Sequence, residues 1–294
     1  MSATAKTLVV GMDGLRFDRL TRSESGAPVL HGLMAGGSYG TSLLPYGVPG
    51  DADGVEGVAY TDSGPGWSTV VTGVWPDKHG VMDNGFASPA YDRYPDFLTR
   101  AKSVRPDLVT AAVVSWRHLA RHGAIGPDID LRAHFDGDGE GYDGCDRAVA
   151  ETAERWLAEH GPDALFVYFG GTDEAAHEAG PLGADYHQAL LRQDGYLGRL
   201  LDAIRARRTF PGERWTVLVT TDHGHLDEGG HGGVTHAERE VFVVLAELDR
   251  QLGEPLEEPR LVDIAPTVLD RLGIAVDPAW QLDGNALQAA WKAV

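Results

Sequence analysis

Short apolar runs alternate with longer stretches of helical periodicity, and that alternation leaves few folds open to this chain. Thr7–Val10, Leu108–Val114, Ala164–Phe169 and Trp215–Thr221 are rich in Val, Leu and aromatic residues and read as buried strands, with Phe242–Leu245 as a further one. Asp143–His160 carries Val149, Ala153, Trp156 and Leu157 at helical spacing. Tyr186–Ile204 is clearer, with Tyr186, Leu190, Gln193, Leu197, Leu200, Leu201 and Ile204 on one face. Leu261–Leu272 reads as a last helix, started near Asp263 and stopped by Gly273. Strands alternating with helices predict an α/β three-layer sandwich around a mainly parallel central sheet. At 294 residues the expectation is a single catalytic domain over 1–294, with no room for a large inserted cap domain.

The formal charge of −19 opposes a nucleic-acid polymer or an anionic membrane as a broad partner, since both would be repelled. A small phosphorylated substrate stays open, because bound divalent cations reverse the field locally. Cys145 is the sole cysteine, so no intramolecular disulfide can form, which suits a reducing compartment. The apolar stretch Thr7–Val10 is too short for a signal-peptide core, and no later run approaches the roughly 20 apolar residues of a membrane span. The expected location is cytoplasmic. The sequence says nothing about oligomeric state.

In such folds ligands bind beyond the carboxyl ends of the strands, so the residues just past each strand carry the most information. After the first comes Gly11-Met12-Asp13-Gly14. Past Phe169 lie Asp173 and His177, and after Thr221 come Asp222-His223-Gly224, with His231 in a glycine-rich stretch beyond. Each has an ordinary alternative: a turn aspartate, a helix cap, a solvated loop histidine. Together they bring oxygen and nitrogen ligands to one sheet edge, a mix that suits zinc or a similar divalent metal. Between the first two clusters runs Thr61-Asp62-Ser63-Gly64-Pro65-Gly66-Trp67-Ser68-Thr69-Val70-Val71-Thr72-Gly73. A helix starting just after Ser63 would aim its first N–H groups at an anion, although Ser63 taken alone reads first as an ordinary helix cap.

With those residues in place, the chain resembles the alkaline phosphatase superfamily, most closely its type I phosphodiesterase and nucleotide pyrophosphatase branch. The family sets its Ser or Thr nucleophile ten residues before the Gly of a Thr-Gly pair, and Ser63 stands so relative to Gly73. Asp222-His223-Gly224 matches the family's most distinctive short motif. Val262-Asp263-Ile264-Ala265-Pro266-Thr267-Val268-Leu269 and Leu282-Asp283-Gly284 resemble its C-terminal signature. The resemblance implies two divalent ions, usually zinc. Asp173, His177 and His231 would hold one; Asp13, Asp222 and His223 would hold the other, with the Ser63 oxygen as a further ligand. It also implies attack by Ser63 on a small phosphorylated substrate and a covalent phosphoserine that water then hydrolyses.

Departures from the family pattern shape the finer reading. Position 66 is Gly where many phosphodiesterases of this branch have an Asn that holds a phosphoryl oxygen. The Gly64 N–H, packing by Trp67 or a side chain from elsewhere would have to compensate. Trp67 stands where a sulfatase needs Arg, so Ser63 is expected to act unmodified. Trp116 and Arg117 follow a strand and are candidate pocket residues; His225 is a candidate substrate contact or proton donor. Specificity is expected in Pro45–Thr61, Phe86–Tyr94 and the 115–145 stretch. A phosphodiesterase is the leading expectation, a phosphomonoesterase the second, and an inactive metal- and ligand-binding relative the third.

Overall fold

A strand covered on both faces has to feed two cores at once. Along β1 (Thr4–Met12), Leu8, Val10 and Met12 enter one apolar cluster and Val9 the other, all without solvent exposure, because successive strand side chains point to opposite faces. The computed structural model describes residues 3–22, 25–46, 59–251 and 254–288. Among them, β1 is joined in one sheet by β2 (Ser38–Leu43), β3 (Thr110–Val114), β4 (Leu131–His134), β5 (Ala164–Phe169), β6 (Glu213–Thr220) and β7 (Glu240–Glu247). The order is β2-β7-β6-β1-β5-β3-β4. The run from β6 to β4 is parallel throughout, and β7 is antiparallel to both of its neighbours.

The main helices are α1 (Pro28–Gly36), α2 (Ser63–Thr72), α3 (Phe97–Val104), α4 (Tyr142–Glu159), α5 (Gly171–Ala179), α6 (Ala184–Arg205) and α7 (Ile264–Arg271). α2, α3 and α7 cover the Val9 face, while α1, α4 and α6 cover the opposite one. This is the expected three-layer sandwich with a mainly parallel sheet. No helix among the described residues is long and apolar enough to cross a membrane.

Several boundaries differ from expectation for local reasons. The strand expected from Leu108 begins at Thr110, and the expected final helix is a 3-10 turn, Leu261–Asp263, followed by α7. β2 and β4 were not anticipated. Both are edge strands with partly exposed side chains and no fully apolar run. α3 carries a signal that is plain in retrospect, since the Asp96 side chain accepts from Leu98 and Thr99 N–H at 2.9 and 3.0 Å.

The topology places the site. β1 lies between β5 and β6, and neighbouring strands are about 4.8 Å apart, so the loops leaving these three strands are held side by side. α2 crosses over them with every residue buried. Its Trp67 ring occupies the space a side chain at position 11 would need, since a Cβ on Gly11 would sit 2.3 Å from the Trp67 ring. The far end of α2 is pinned by the C-terminal signature. Asp283 N–H donates to Gly73 O at 2.9 Å, its carboxylate accepts from Trp75 N–H at 2.9 Å, and Lys78 pairs with it. Gly284 fits because a Cβ there would lie 1.8 Å from Val262 O. That signature is therefore a clamp on the α2 exit turn.

Gly11→Ala is expected to overpack the Trp67 contact and cost about 1–3 kcal/mol of stability. Urea denaturation measures it; an unchanged midpoint and slope would show that Trp67 moves freely and does not fix α2 on β1.

Candidate metal and nucleophile site

Each candidate ligand reaches the site from a loop or helix start just beyond a strand. Asp13 follows β1, and Asp222 and His223 follow β6. Asp173 and His177 lie one turn apart on α5, which opens directly after β5. The helix start of α5 is itself anchored: the buried Asp146 carboxylate accepts from Gly170 and Gly171 N–H, each at 3.0 Å. Ser63 is the first residue of α2, with Asp62 as its cap position.

The structure brings Asp13, Ser63, Asp222 and His223 together in one buried group. His223 Nε2 lies 3.4 Å from Asp13 Oδ1, 3.4 Å from Asp222 Oδ2 and 3.3 Å from Ser63 Oγ. The two carboxylate oxygens facing His223 have no hydrogen-bond partner among the described residues, although both are buried. Their twins are satisfied. Asp13 Oδ2 accepts from Trp67 Nε1–H at 2.9 Å and from the Tyr168 hydroxyl, and Asp222 Oδ1 accepts from Gly14 N–H at 3.3 Å. Orphan buried carboxylate oxygens beside an imidazole carry a large desolvation cost unless a cation meets them. The donor set thus fits a divalent ion.

Asp173, His177 and His231 form the adjoining group. His177 Nε2 is 3.3 Å from Asp173 Oδ2 and 3.1 Å from His231 Nε2, which is 3.6 Å from Asp173 Oδ1. His223 and His231 stack with centroids 3.8 Å apart, so the groups share a wall. Tautomers are set from behind. His223 Nδ1–H donates to Gly224 O at 3.0 Å and His231 Nδ1–H to Thr61 O at 2.8 Å, which leaves both Nε2 lone pairs facing inward. Ligand-type atoms of Asp173, His223, His225 and His231 lie within 4.8 Å of one another, as do those of Asp13, Asp222 and His223.

The electrostatics are those of a site short of positive charge. Burial, then the Asp173 charge, pushes Asp13 up to about 7. Burial, followed by Asp13 and Asp173, holds Asp222 well above the usual carboxylate range. Burial opposes ionisation of Asp173 too, but hydrogen bonds from His177 and His225 and the charges of His223 and His231 keep it well below that range. For His231, burial opposes the charge, yet Asp62 and Asp173 raise it to about 9.

Three expected substrate contacts are corrected. Trp67 is fully buried and donates to Asp13, so it supports that carboxylate and offers no exposed wall to a substrate. The Gly64 N–H is already committed to Asn84 Oδ1 at 2.6 Å. His225 is fully buried, with Nε2 on Asp173 Oδ1 at 2.8 Å, and does not meet substrate. Trp116 is largely buried against Phe86 and His118, and Arg117 is ion-paired to Asp136. Lys78 is turned to Asp283 and Arg16 to Asp18 and Asp227. Gly66 is tight: a Cβ there would lie 2.7 Å from the Asp222 Cβ, so no Asn fits at that position.

Asn84 was missed. It is an exposed loop residue whose Oδ1 holds the start of α2 and whose Nδ2 makes no hydrogen bond among the described residues. Its loop is braced by Phe86, which adopts φ 49° and stacks on His122 at 4.5 Å. A lone Asn in a loop gives no sequence signal. Of the stretches expected to set specificity, residues 47–58 lie outside the described residues.

Parallel strands that bring Asp, His and a helix-start Ser to one edge define an alkaline-phosphatase-like fold. A profile described as type I phosphodiesterase / nucleotide pyrophosphatase matches residues 7–239, and the chain belongs to that family. The human ectonucleotide pyrophosphatase/phosphodiesterase family member 1 is 24% identical over 242 residues, covering 77% of this chain and 24% of that protein. The chain thus spans about a quarter of that relative's length. Among solved structures, inactive murine ectonucleotide pyrophosphatase/phosphodiesterase 5 in complex with AMP has a TM-score of 0.64 at 14% identity, covering 97% of this chain and 100% of that one. The Agrobacterium radiobacter phosphonate monoester hydrolase has a TM-score of 0.68 at 15% identity, covering 96% and 76%.

In chelator, His231 with its raised value binds more protons folded than unfolded between about pH 6.5 and 9. Asp222, also raised, acts in the same direction. Stability is then lost as pH rises through that window. The melting temperature of chelated protein is expected to fall from pH 7 to 9 (about the limits of the window), and excess zinc to flatten the fall. A level profile in chelator would contradict this electrostatic picture.

Proposed function

We propose that the chain is a hydrolase of small phosphoesters, of phosphodiesterase or nucleotide pyrophosphatase type. It uses two divalent cations, zinc foremost, and a covalent phosphoserine at Ser63. One observation carries the reading: Ser63 Oγ lies 3.3 Å from His223 Nε2, beside two buried carboxylate oxygens that lack partners. Asp13, Ser63, Asp222 and His223 would hold one cation, and Asp173, His177 and His231 the other. Bound there, the cations would lower the serine pKa and neutralise charge on the phosphoryl oxygens.

Ser63 Oγ forms the new bond to phosphorus as the bond to the departing oxygen breaks. Water then hydrolyses the phosphoserine from the opposite side and restores the hydroxyl. Asn84, whose Oδ1 accepts from the Gly64 N–H next to Ser63, would offer its amide N–H₂ to a phosphoryl oxygen, the part that Gly66 cannot play. AMP bound to the murine relative supports a nucleotide-sized substrate.

A monoester dianion needs more positive charge than a diester. Lys78, Arg117 and Arg16, the basic residues near α2 and the strand ends in sequence, are committed to Asp283, Asp136, Asp18 and Asp227. A diester is therefore favoured. With zinc present, kcat/KM for bis-p-nitrophenyl phosphate is expected to exceed that for p-nitrophenyl phosphate, and Ser63→Ala to lose both activities by several orders of magnitude. A tenfold preference for the monoester, about 1.4 kcal/mol, would sink the diesterase reading. Full activity in Ser63→Ala would sink the nucleophile.

A further inference from the structure

His225 is a third buried imidazole in a loop where the family resemblance supplies roles only for His223 and His231. It has no solvent exposure, so it cannot act on substrate directly. Its Nε2 lies 2.8 Å from Asp173 Oδ1. An ionised carboxylate only accepts, so the proton of this hydrogen bond belongs to His225 Nε2.

His225 lies within ligand reach of Asp173, His223 and His231, and its contact with Asp173 shows how it meets them. Tetrahedral bonds of about 2.0 Å put neighbouring ligand atoms about 3.3 Å apart. His177 Nε2 stands 3.3 Å from Asp173 Oδ2 and 3.1 Å from His231 Nε2, which fits such edges, while His231 Nε2 is 3.6 Å from the other oxygen, Oδ1. At 2.8 Å, His225–Asp173 is instead an ordinary N–H···O hydrogen bond. We propose that His225 is a positioning residue, donating Nε2–H to Asp173 so that this carboxylate is held in the orientation that meets His177 and His231.

The surroundings are built to keep His225 in that pose. A Cβ on Gly14 would lie 2.5 Å from His225 Nε2 and 3.0 Å from Asp173 Oδ1, and Gly14 has φ 60°. Only glycine leaves this pair room and takes this backbone without strain. The His225 carbonyl accepts from Arg16 Nη1 at 3.1 Å, and Arg16 is fixed by Asp227 at 2.6 Å and Asp18 at 3.0 Å. Tyr186 ties the same segment, accepting from Arg16 N–H at 2.8 Å and donating to Gly14 O at 2.9 Å. The segment that carries Asp13 therefore also sets the backbone of His225, so the two groups of ligands share one support.

This role rests on the two-cation reading, and the test separates the two. Wild type, His225→Met and His225→Gln are compared for zinc stoichiometry by elemental analysis and zinc affinity by competition with a chromophoric chelator. Thermal unfolding in EDTA serves as the folding control. Methionine fills the volume without a donor, while the glutamine amide restores an N–H near the Nε2 position. His225→Met is expected to weaken one of two zinc equivalents by about 10- to 100-fold, and His225→Gln to stay within about threefold of wild type. Two full-affinity equivalents in His225→Met would overturn the positioning role alone. Equal losses in both variants would also overturn it, since His225 would then itself be a ligand. A wild type that holds no zinc would overturn the cation reading and this role with it.

Discussion

Two carboxylates, Asp13 and Asp222, are buried with one oxygen each turned toward the same imidazole and no hydrogen-bond donor from any other described residue to meet it. The rest of the site is organised around that confinement of negative charge. It raises both carboxyl groups above their ordinary range, and it exists because β1 and β6 are hydrogen-bonded neighbours that end at the same level. A parallel sheet makes such crowding hard to avoid. Its strands all deliver their loops to one edge, and central strands cannot turn those loops toward solvent.

Ser63, the proposed nucleophile, is held against this charge from both ends of α2. At the near end, Thr61 joins the turn before Ser63 to the His231 loop: Gly232 N–H donates to Thr61 Oγ1 at 2.9 Å, and Thr61 Oγ1 donates to Gly233 O at 3.0 Å. In the middle, Trp67 fills the gap over Gly11 and reaches Asp13. At the far end the Asp283–Gly284 clamp takes over. His79, fully buried with Nε2 near Thr69 Oγ1 at 3.0 Å, is pushed down to about 3 by burial and serves packing. Much of what makes the sequence recognisable thus holds α2 and the loops beside it in place.

The central strands were legible because β1, β3, β5, β6 and β7 are covered on both faces over most of their length and so carry largely apolar runs there. β2 and β4, being edges, have no such obligation, and Ser38–Leu43 holds no unbroken apolar run. The gathering of Asp13, Asp173, Asp222, His223 and His231 at one edge was legible because Asp and His at several strand ends are rarer than any one of them alone. What could not be read was which way a side chain faces when both directions suit its chemistry. Trp67 could have lined a pocket or filled a core, and only the missing side chain at Gly11 decides for the core. His225 could have met substrate, until Asp173 and Gly14 are seen on either side of it. Asn84 joins Gly64 through a fold-dependent contact that no spacing encodes.

The account stands or falls on cations filling the space before the orphan oxygens. Crystals of protein purified without chelator, with anomalous diffraction collected at the zinc absorption edge, test this most directly. Two peaks are predicted. One lies among Asp13, Asp222, His223 and Ser63 Oγ; the other lies among Asp173, His177 and His231, with His225 hydrogen-bonded behind Asp173. A site with no anomalous peak, in crystals grown with zinc, would contradict it.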